Sequence, residues 1–365
     1  MSSDLSASSY SSKRIGVVLD IDGVFLKGKK VIPGTSEALQ ILDQRQVPYV
    51  FVTNGGGVTE AAKAKQLSQL LNSDIREDAV LLSHSPFREK AVQYKSQRVL
   101  VLGSIGCEEV ARIYGFERPV TCRQLLAEDP ASYSHLHLPS DFPLADHPSE
   151  PCAAAFMFGD PTEWGLEMQI LTDVLRPTTY GRDLPAGILH KQRVPLYACN
   201  ADIVSPNEGH LPRYTQGAFT EAFRAIFENH CKTKLVVDLC GKPFAVQYRL
   251  AERMILHRAR LLASNAPHQD SETSNLDNSN LVLEQKRHNL NDKDVSDNVE
   301  DLSAWHFFGI GDNPLSDIRG ANSAGSNWSS VLVRTGVWVG DVNDAVDPAN
   351  YVFDDVVQAV RALCL

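Results

Sequence analysis

At the start of the chain, apolar residues come in short unbroken runs separated by helix-like stretches. The run at 15–19 is apolar and rich in β-branched residues, as is typical of a strand buried on both faces of a sheet. Similar runs follow at 50–52 and 79–82, with predicted helices between them at 35–46 and 59–71. This alternation predicts an α/β fold, in which a parallel sheet carries helices on both faces.

The middle of the chain repeats the alternation as a second unit. Apolar runs at 99–103 and 153–159 predict buried strands, and predicted helices follow them at 108–114 and 164–175. We therefore expect residues 83–212 to form a second α/β domain that is inserted into the first.

The pattern of the first domain resumes after the insertion. Further helices are predicted at 219–228 and up to about residue 262, and further strands at 307–312, 331–336 and 351–353. These elements assign residues 13–82 and 213–365 to the first domain.

Two segments have too few apolar residues to form a core. Residues 1–12 are rich in serine and predict a disordered tail. Residues 264–301 are rich in Asn, Asp, Ser and Glu, and they predict a disordered insertion within the first domain.

Composition limits the class of protein. A length of 365 residues suits about two domains, and a hydrophobic content of 43% is typical of a soluble globular chain. The net charge of −10 argues against a nucleic-acid binder, which usually presents a basic face. No apolar run reaches the roughly 18 residues that a membrane span needs. The seven cysteines include no C-x-x-C pair, which favours reduced thiols over a disulfide framework or a zinc site.

Polar side chains follow three predicted strands of the first domain, at the point where each strand ends. Asp20 and Asp22 follow the first strand, Thr53 and Asn54 the second, and Asp312 a later one. Because ligands of open parallel sheets bind outside the carboxyl ends of the strands, we expect these groups to converge on one site.

The residue types suit phosphoryl transfer. Asp20 is the candidate nucleophile, because a carboxylate can attack phosphorus and form an acyl phosphate. Asp22 is the candidate acid that protonates the leaving oxygen and the base that then deprotonates water. Thr53 is expected to hydrogen-bond the phosphoryl oxygens, and Lys242 to neutralise the charge that develops on them.

Acids crowded in this way need a cation between them. Mg²⁺ is the expected ion, since it prefers carboxylate, carbonyl and phosphate oxygens. We expect Asp20, Asp312 and the backbone carbonyl of Asp22 to bind it. Asp317 is expected to hold Lys242 or a water on the ion.

Substrate contacts are expected from both domains. Asn54 and Gly55 lie beside the predicted phosphoryl site, and Asn200 and Asp202 end an apparent strand of the inserted domain. Residues 55–57 are all glycine, which allows either an anion-binding loop of backbone N–H groups or a hinge, and the first is favoured. His84, at the junction of the two domains, is interpreted as a packing residue rather than a substrate ligand.

Four motifs, in this order, resemble those of the haloacid dehalogenase superfamily. They are Asp20-Ile21-Asp22-Gly23-Val24, Thr53-Asn54, Gly241-Lys242-Pro243 and Gly311-Asp312-Asn313-Pro314-Leu315-Ser316-Asp317. The long interval between the second and third leaves room for a cap domain of the C2 type, as in the class IIA branch. Further segments resemble the cat eye syndrome critical region protein 5 family, namely Leu82-Ser83-His84-Ser85-Pro86, Gly159-Asp160-Pro161, Cys199-Asn200-Ala201-Asp202, Pro212-Arg213-Tyr214 and Leu332-Val333-Arg334-Thr335-Gly336-Val337.

The resemblance implies a Rossmann-like core with an inserted C2 cap, a requirement for Mg²⁺, and an aspartyl-phosphate mechanism on a small phosphorylated substrate. It also implies a mitochondrial location and a link to glycerophospholipid metabolism. A cytoplasmic location is the alternative, because the N-terminal segment has few arginines for a presequence. A homodimer formed through the cap is a further expectation. The glycines at 55–57 depart from related phosphatases, which usually carry Asn and Ser after this motif.

Parts of the sequence are compatible with other functions. A binding or scaffold protein of the same fold without turnover is the main alternative, and the intact acids and Lys242 argue against it. The sequence leaves a mutase open. Gly309-x-Gly311 resembles part of a dinucleotide-binding fingerprint, but the third glycine is missing and Asp312 would repel a pyrophosphate.

Overall fold

The structure is a computed structural model that describes residues 12–133, 144, 150–176, 191–209, 211–264, 302–340 and 342–364. Apart from residues 12 and 264, the tail predicted at 1–12 and the insertion predicted at 264–301 lie outside the described residues. None of the helices described is long and apolar enough to cross a membrane.

The strands and helices are numbered separately in chain order. The strands are β1 (Arg14–Leu19), β2 (Leu26–Lys27), β3 (Lys30–Val31), β4 (Tyr49–Thr53), β5 (Val80–Leu82), β6 (Arg98–Leu102), β7 (Arg118–Thr121), β8 (Ala154–Met157), β9 (Leu196–Ala198), β10 (Val204–Ser205), β11 (Arg213–Tyr214), β12 (Val237–Leu239), β13 (Trp305–Gly311), β14 (Trp328–Val333) and β15 (Tyr351–Phe353). The helices are α1 (Thr35–Gln44), α2 (Glu60–Leu71), α3 (Phe87–Gln93), α4 (Cys107–Tyr114), α5 (Cys122–Glu128), α6 (Trp164–Leu175), α7 (Gln216–Cys231), α8 (Ala245–Ala263), α9 (Arg319–Ala324) and α10 (Val356–Leu363).

The core domain is built on a parallel six-stranded sheet in the order β15-β14-β13-β1-β4-β5. Strand β1 lies in the middle and pairs with β13 and β4. Because side chains alternate along a strand, Val17 and Leu19 pack under α1, α2 and α10, whereas Val18 packs on the opposite face with α8 and α9. The predicted α/β fold, with a first strand buried on both faces, is confirmed.

The cap domain has its own parallel sheet of five strands, in the order β12-β9-β8-β6-β7. Helices α3 and α4 cover one face of this sheet, and α5, α6 and α7 cover the other. The cap is thus a second three-layered α/β unit, which the chain enters after β5.

The boundary expected at residue 213 is wrong, because the cap continues through β12. Strand β12 pairs in parallel with β9 of the cap sheet. Helix α7 buries Phe219, Phe223 and Phe227 in the cap core. Their four-residue spacing predicts an amphipathic helix, but it does not indicate which of two sheets covers the apolar face. The chain returns to the core only after residue 239.

Two short antiparallel ribbons, β2–β3 of the core and β10–β11 of the cap, were not predicted, because each of their strands has only two residues. A contact links the first ribbon to the loop beyond β10. The backbone N–H of Lys29 donates to Glu208 Oε1 at 2.9 Å, and Lys30 Nζ lies 3.4 Å from Glu208 Oε2. This loop of the cap therefore reaches the core beside the cleft between the domains.

Candidate active site

Three neighbouring strands of the core sheet end in polar residues at one edge. Asp20 follows β1, Asn54 follows β4, and Asp312 follows β13, and these strands are adjacent in the order β13-β1-β4. Because all three strands run in parallel, their carboxyl ends meet at that edge. The structure thus brings together groups that are far apart along the chain.

Lys242 lies at the centre of a buried group of charges. Its Nζ donates to Asp20 Oδ1 at 2.5 Å and to Asp317 Oδ1 at 2.6 Å. Asp312 lies beside them, and each of the four residues is at most 6% exposed. We call Asp20, Lys242, Asp312 and Asp317 the active-site cluster.

The chain reaches Lys242 through a tight turn at Gly241. This glycine has a φ of 82°, in the left-handed region that other residues rarely adopt. A Cβ atom at this position would lie 2.2 Å from the carbonyl oxygen of Cys199. Glycine is therefore required here on both counts, and it lets the Lys242 segment pass close to the cap.

The active-site cluster holds more acids than its single ammonium group can balance. Carboxylate oxygens of Asp20, Asp312 and Asp317 all lie within 4.8 Å of one another. Burial raises the pKa of Asp20 well above its usual value, against the opposing effect of Lys242. Burial, with the charge of Asp317, raises the pKa of Asp312 to about 8, although the backbone N–H of Val337 donates to Asp312 Oδ2 at 2.5 Å.

A hard divalent cation fits this donor set. Three buried carboxylates offer oxygen ligands of the kind that Mg²⁺ prefers, and a cation would supply the charge that Lys242 alone does not. The carboxylate of Asp22 lies outside this triad, and its Oδ2 accepts a hydrogen bond from Thr53 Oγ1 at 3.2 Å.

Asn54 is engaged with the protein rather than free for a substrate. Its Oδ1 accepts the backbone N–H of Lys242 at 2.8 Å, and its Nδ2 donates to the Lys242 carbonyl oxygen at 2.9 Å. Nδ2 also donates to Asp202 Oδ2 of the cap at 2.9 Å. Asn54 therefore holds Lys242 in place and joins core to cap.

The predicted cap residues reach the same place. Asp202 also lies 3.4 Å from Asn313 Nδ2, and burial raises the pKa of its carboxyl to about 6. Asn200 is buried, and its Oδ1 accepts the backbone N–H of Asp202 at 2.8 Å. Both residues line the cleft beside the active-site cluster.

The cleft between core and cap encloses a cavity of about 200 Å³. It brings together Asp20, Asp22, Thr53, Asn54, Gly55, Asn200, Asp202, Lys242, Asp312 and Asp317, which are the predicted site residues. Lining residues to which the sequence assigned no role are Asp160, Val204, Ser205, Pro206, Thr215, Asn313, Ser316 and Val337. The Gly159-Asp160-Pro161 segment was a visible signal for the first of these, since it carries part of the resemblance. No such signal marked Val204, Ser205 and Pro206, which lie in and directly after β10.

The glycines at 55–57 serve a close contact between the domains. The N–H of Gly55 donates to Thr53 Oγ1, and the N–H of Gly57 donates to the Phe158 carbonyl oxygen of the cap, both at 2.9 Å. A Cβ atom at Gly56 would lie 2.3 Å from that carbonyl oxygen. Two of the three backbone N–H groups therefore already donate hydrogen bonds within the protein. The segment does not form the anion-binding loop that the sequence favoured.

His84 belongs to a second buried group at the same domain junction. Its Nδ1 lies 2.9 Å from Tyr114 Oη, which donates to Glu60 Oε1 at 2.5 Å. Arg88 Nη2 donates to Glu60 Oε2 at 2.8 Å, and its guanidinium lies 3.9 Å above the Tyr114 ring. We call Glu60, His84, Arg88 and Tyr114 the junction cluster. None of its members lines the cavity.

Comparison with known proteins agrees with this geometry. Two family models match the chain, described as haloacid dehalogenase-like hydrolase, over residues 17–117, and HAD-hydrolase-like, over residues 239–359. The mitochondrial hydrolase YKR070W of Saccharomyces cerevisiae is 30% identical over 370 residues, which cover 96% of this chain and 97% of that protein. The chain therefore belongs to the haloacid dehalogenase-like hydrolases. Its inserted five-stranded cap is that of the class IIA type.

Two further proteins are similar over most of the chain. A cardiolipin synthase (CMP-forming) / mitochondrial hydrolase fusion protein of Schizosaccharomyces pombe is 29% identical over 350 residues, and the match spans 93% of this chain but about half, 51%, of that protein. The glycerol phosphate phosphatase of Mycobacterium tuberculosis, solved in complex with magnesium, has a TM-score of 0.54 at 18% identity and covers 100% of this chain and 79% of that one. The latter supports the fold.

Proposed function

We propose that this hydrolase is a Mg²⁺-dependent phosphatase that hydrolyses a small phosphomonoester through a phosphorylated Asp20. The observation that carries the proposal is the position of Asp20. Its buried carboxylate ends the central strand, shares Lys242 with Asp317, and lines the cavity between core and cap. The phosphatase named among the similar structures, with its bound magnesium, adds support.

The first half of the reaction transfers the phosphoryl group to Asp20. Oδ1 of Asp20 is held by Lys242, which leaves Oδ2 to attack phosphorus as the bond to the leaving alcohol oxygen breaks. Asp22 donates a proton to that oxygen, so that the alcohol leaves neutral. Thr53 is hydrogen-bonded to Asp22 and holds its carboxyl group at the rim of the site.

The second half restores the enzyme. Asp22, now ionised, takes a proton from a water that attacks phosphorus, and the bond between phosphorus and Asp20 breaks to release inorganic phosphate. Lys242 balances negative charge on the phosphoryl oxygens throughout. Asp20 and Asp312, with the Asp22 carbonyl and Asp317 beside them, would hold Mg²⁺, which neutralises the carboxylates and the phosphate together.

A scaffold without turnover is the weaker hypothesis. Crowding three buried carboxylates around one ammonium group destabilises the fold, because burial and neighbouring carboxylates raise the pKa of both Asp20 and Asp312. Catalysis explains why a chain would keep such a cluster, and a scaffold role does not. The two yeast relatives named as mitochondrial hydrolases support a mitochondrial location for this chain.

The test is hydrolysis of phosphomonoesters by purified protein, measured with Mg²⁺, with EDTA, and in the variant Asp20→Asn. We expect chelation to abolish turnover and Asp20→Asn to lower kcat by at least about 10³-fold, since it removes the nucleophile. The matched control is Asp238→Asn, the same change at an exposed position of β12 outside the cavity lining, which should leave kcat unchanged. Acid-quenched protein should carry one phosphoryl group on Asp20, detectable by mass spectrometry. Turnover that survives EDTA or Asp20→Asn would rule out this mechanism.

A further inference from the structure

The cavity of the candidate active site has two walls of different origin. The core supplies the active-site cluster together with Asp22, Thr53 and Asn54. The cap supplies Asp160, Asn200, Asp202, the β10 ribbon and Thr215. In a phosphatase of this kind the core wall handles the phosphoryl group, so the cap wall faces the leaving group.

The charges on these walls are strongly unequal. Among the described residues that line the cavity, the acidic ones are Asp20, Asp22, Asp160, Asp202, Asp312 and Asp317, whereas the one basic residue is Lys242. Lys242 already donates to two carboxylates. Nothing basic in the described lining is therefore left to meet a negative group on the far end of a substrate.

Asp160 is the cap carboxylate best placed to act on a leaving group. One of its oxygens, Oδ1, accepts the backbone N–H of Gln216 at 2.8 Å, and no described residue donates to the other. Asp202 differs, because both of its oxygens face amides of the core, Asn54 and Asn313. The side chain of Asp160 is exposed, so its second oxygen is open to a ligand.

Asn200 adds a hydrogen-bond donor to the same wall. It is only 5% exposed, and its Oδ1 accepts the backbone N–H of Asp202. Its amide nitrogen Nδ2 donates to no described residue. Because Asn200 lines the cavity, its amide group is available to donate a hydrogen bond to a ligand atom such as an uncharged hydroxyl or ester oxygen.

We infer that the cap wall selects a leaving group that carries no second negative charge, and that it favours a short amino alcohol whose ammonium group pairs with Asp160. This inference rests on the proposed phosphatase function and narrows its substrate class. A cavity of about 200 Å³ accommodates a leaving group of a few heavy atoms beyond the phosphate. Esters with a carboxylate or a second phosphate on the alcohol are disfavoured by repulsion from Asp160 and Asp202.

Three phosphate esters of nearly equal size differ mainly in the charge of their leaving group. They are 2-aminoethyl phosphate, 2-hydroxyethyl phosphate and phosphoglycolate. With Mg²⁺ present, we expect kcat/KM to be highest for the amine and at least about tenfold lower for the carboxylate than for the hydroxyl compound. Equal or faster hydrolysis of phosphoglycolate overturns the inference while leaving the phosphatase function intact.

The variant Asp160→Asn tests the residue. Asparagine keeps an oxygen to accept the Gln216 N–H, so the fold is expected to survive, and only the charge is lost. The ratio of kcat/KM for the amine to that for the carboxylate should fall about tenfold. Asp238→Asn, on β12 of the cap sheet and outside the cavity lining, should leave that ratio unchanged. An unchanged ratio in Asp160→Asn would show that Asp160 does not select the leaving group by its charge.

Binding measurements test the charge selection independently of the proposed hydrolysis. Calorimetry of the three esters with the Asp20→Asn protein and Mg²⁺ should give the same order of affinity without hydrolysis. If none of the esters is hydrolysed by the wild type yet the order of affinity holds, the proposed chemistry fails and the charge selection stands. If the affinities are equal, the charge selection fails whatever the chemistry.

Discussion

The active-site cluster and the junction cluster are two buried charged groups at the same domain boundary, and they differ in balance. In the junction cluster one carboxylate, Glu60, meets the guanidinium of Arg88 and donors from Tyr114 and Ser85. Burial alone would raise the pKa of Glu60, but Arg88, His84 and the hydrogen bond from Tyr114 together outweigh it, and the pKa is lowered. In the active-site cluster the pKa values of Asp20 and Asp312 are raised.

The contrast separates structure from chemistry. A buried charge that is paired and hydrogen-bonded stabilises the contact between two domains, provided that neither partner is removed. A buried excess of one charge needs something from outside the chain, and perturbed carboxylates in a cleft are typical of functional sites. Burial by itself does not distinguish the two groups, whereas the balance of charge does.

The largest effect is expected when the charge balance of the junction cluster is broken. Glu60→Gln leaves Arg88 without its carboxylate, and we expect the free energy of unfolding to fall by about 3 kcal/mol, the low end for such pairs because Arg88 is only partly buried. Asp312→Asn, measured in EDTA, should cost nothing or stabilise, because it relieves repulsion. Urea unfolding of both variants checks this. Similar losses in the two variants would contradict the distinction.

A metal titration tests whether the active-site cluster, unlike the junction cluster, binds a cation. Mg²⁺ at about one hundred times its Kd should stabilise the wild-type protein by about 2.7 kcal/mol, since it binds only the folded state. Asp312→Asn should abolish this increment, and Glu60→Gln should keep it in full. Thermal unfolding with and without Mg²⁺ measures it. An increment that persists in Asp312→Asn would place the ion elsewhere.

The smallest expected effect concerns pH. Burial lowers the pKa of His84 to about 4, from about 6.5 when unfolded. The unfolded chain therefore binds more protons between these values, and stability falls as the pH drops from about 6.5 towards 4. At pH 5 the cost relative to pH 7 is about 2 kcal/mol, and His84→Gln should remove it. Urea unfolding of both proteins at the two pH values gives the difference, in which the contribution of His306 cancels. Parallel pH profiles would contradict the assignment.

The sequence predicted the core site because that site follows from local rules. Asp20, Thr53 and Asp312 stand where buried strands end, and parallel strands bring such ends to one edge. Lys242 and Asp317 followed from the chemistry that these groups require. Each of these predictions depended on patterns a few residues long.

What the sequence did not predict depends on contacts between distant segments. The apolar face of α7 fits either sheet until the tertiary structure is known. Asn54 was expected to bind a substrate, whereas it binds Lys242 and Asp202, and nothing in a short motif indicates a partner in another domain. Glu60 and Arg88 look like ordinary surface residues of α2 and α3 until the two helices meet.

Strand β12 belongs to the cap, yet Lys242 follows it after only two intervening residues, Cys240 and Gly241. The cap sheet and the ammonium group of Lys242 are therefore tied closely together by the chain. A chimera that exchanges the cap at residue 213 would cut its sheet and leave α7 without a partner surface. Exchange of residues 83–239 would keep the cap whole. The last strand of the new cap would then determine the position of Lys242 relative to Asp20. An exchange of the cap therefore also alters the candidate active site.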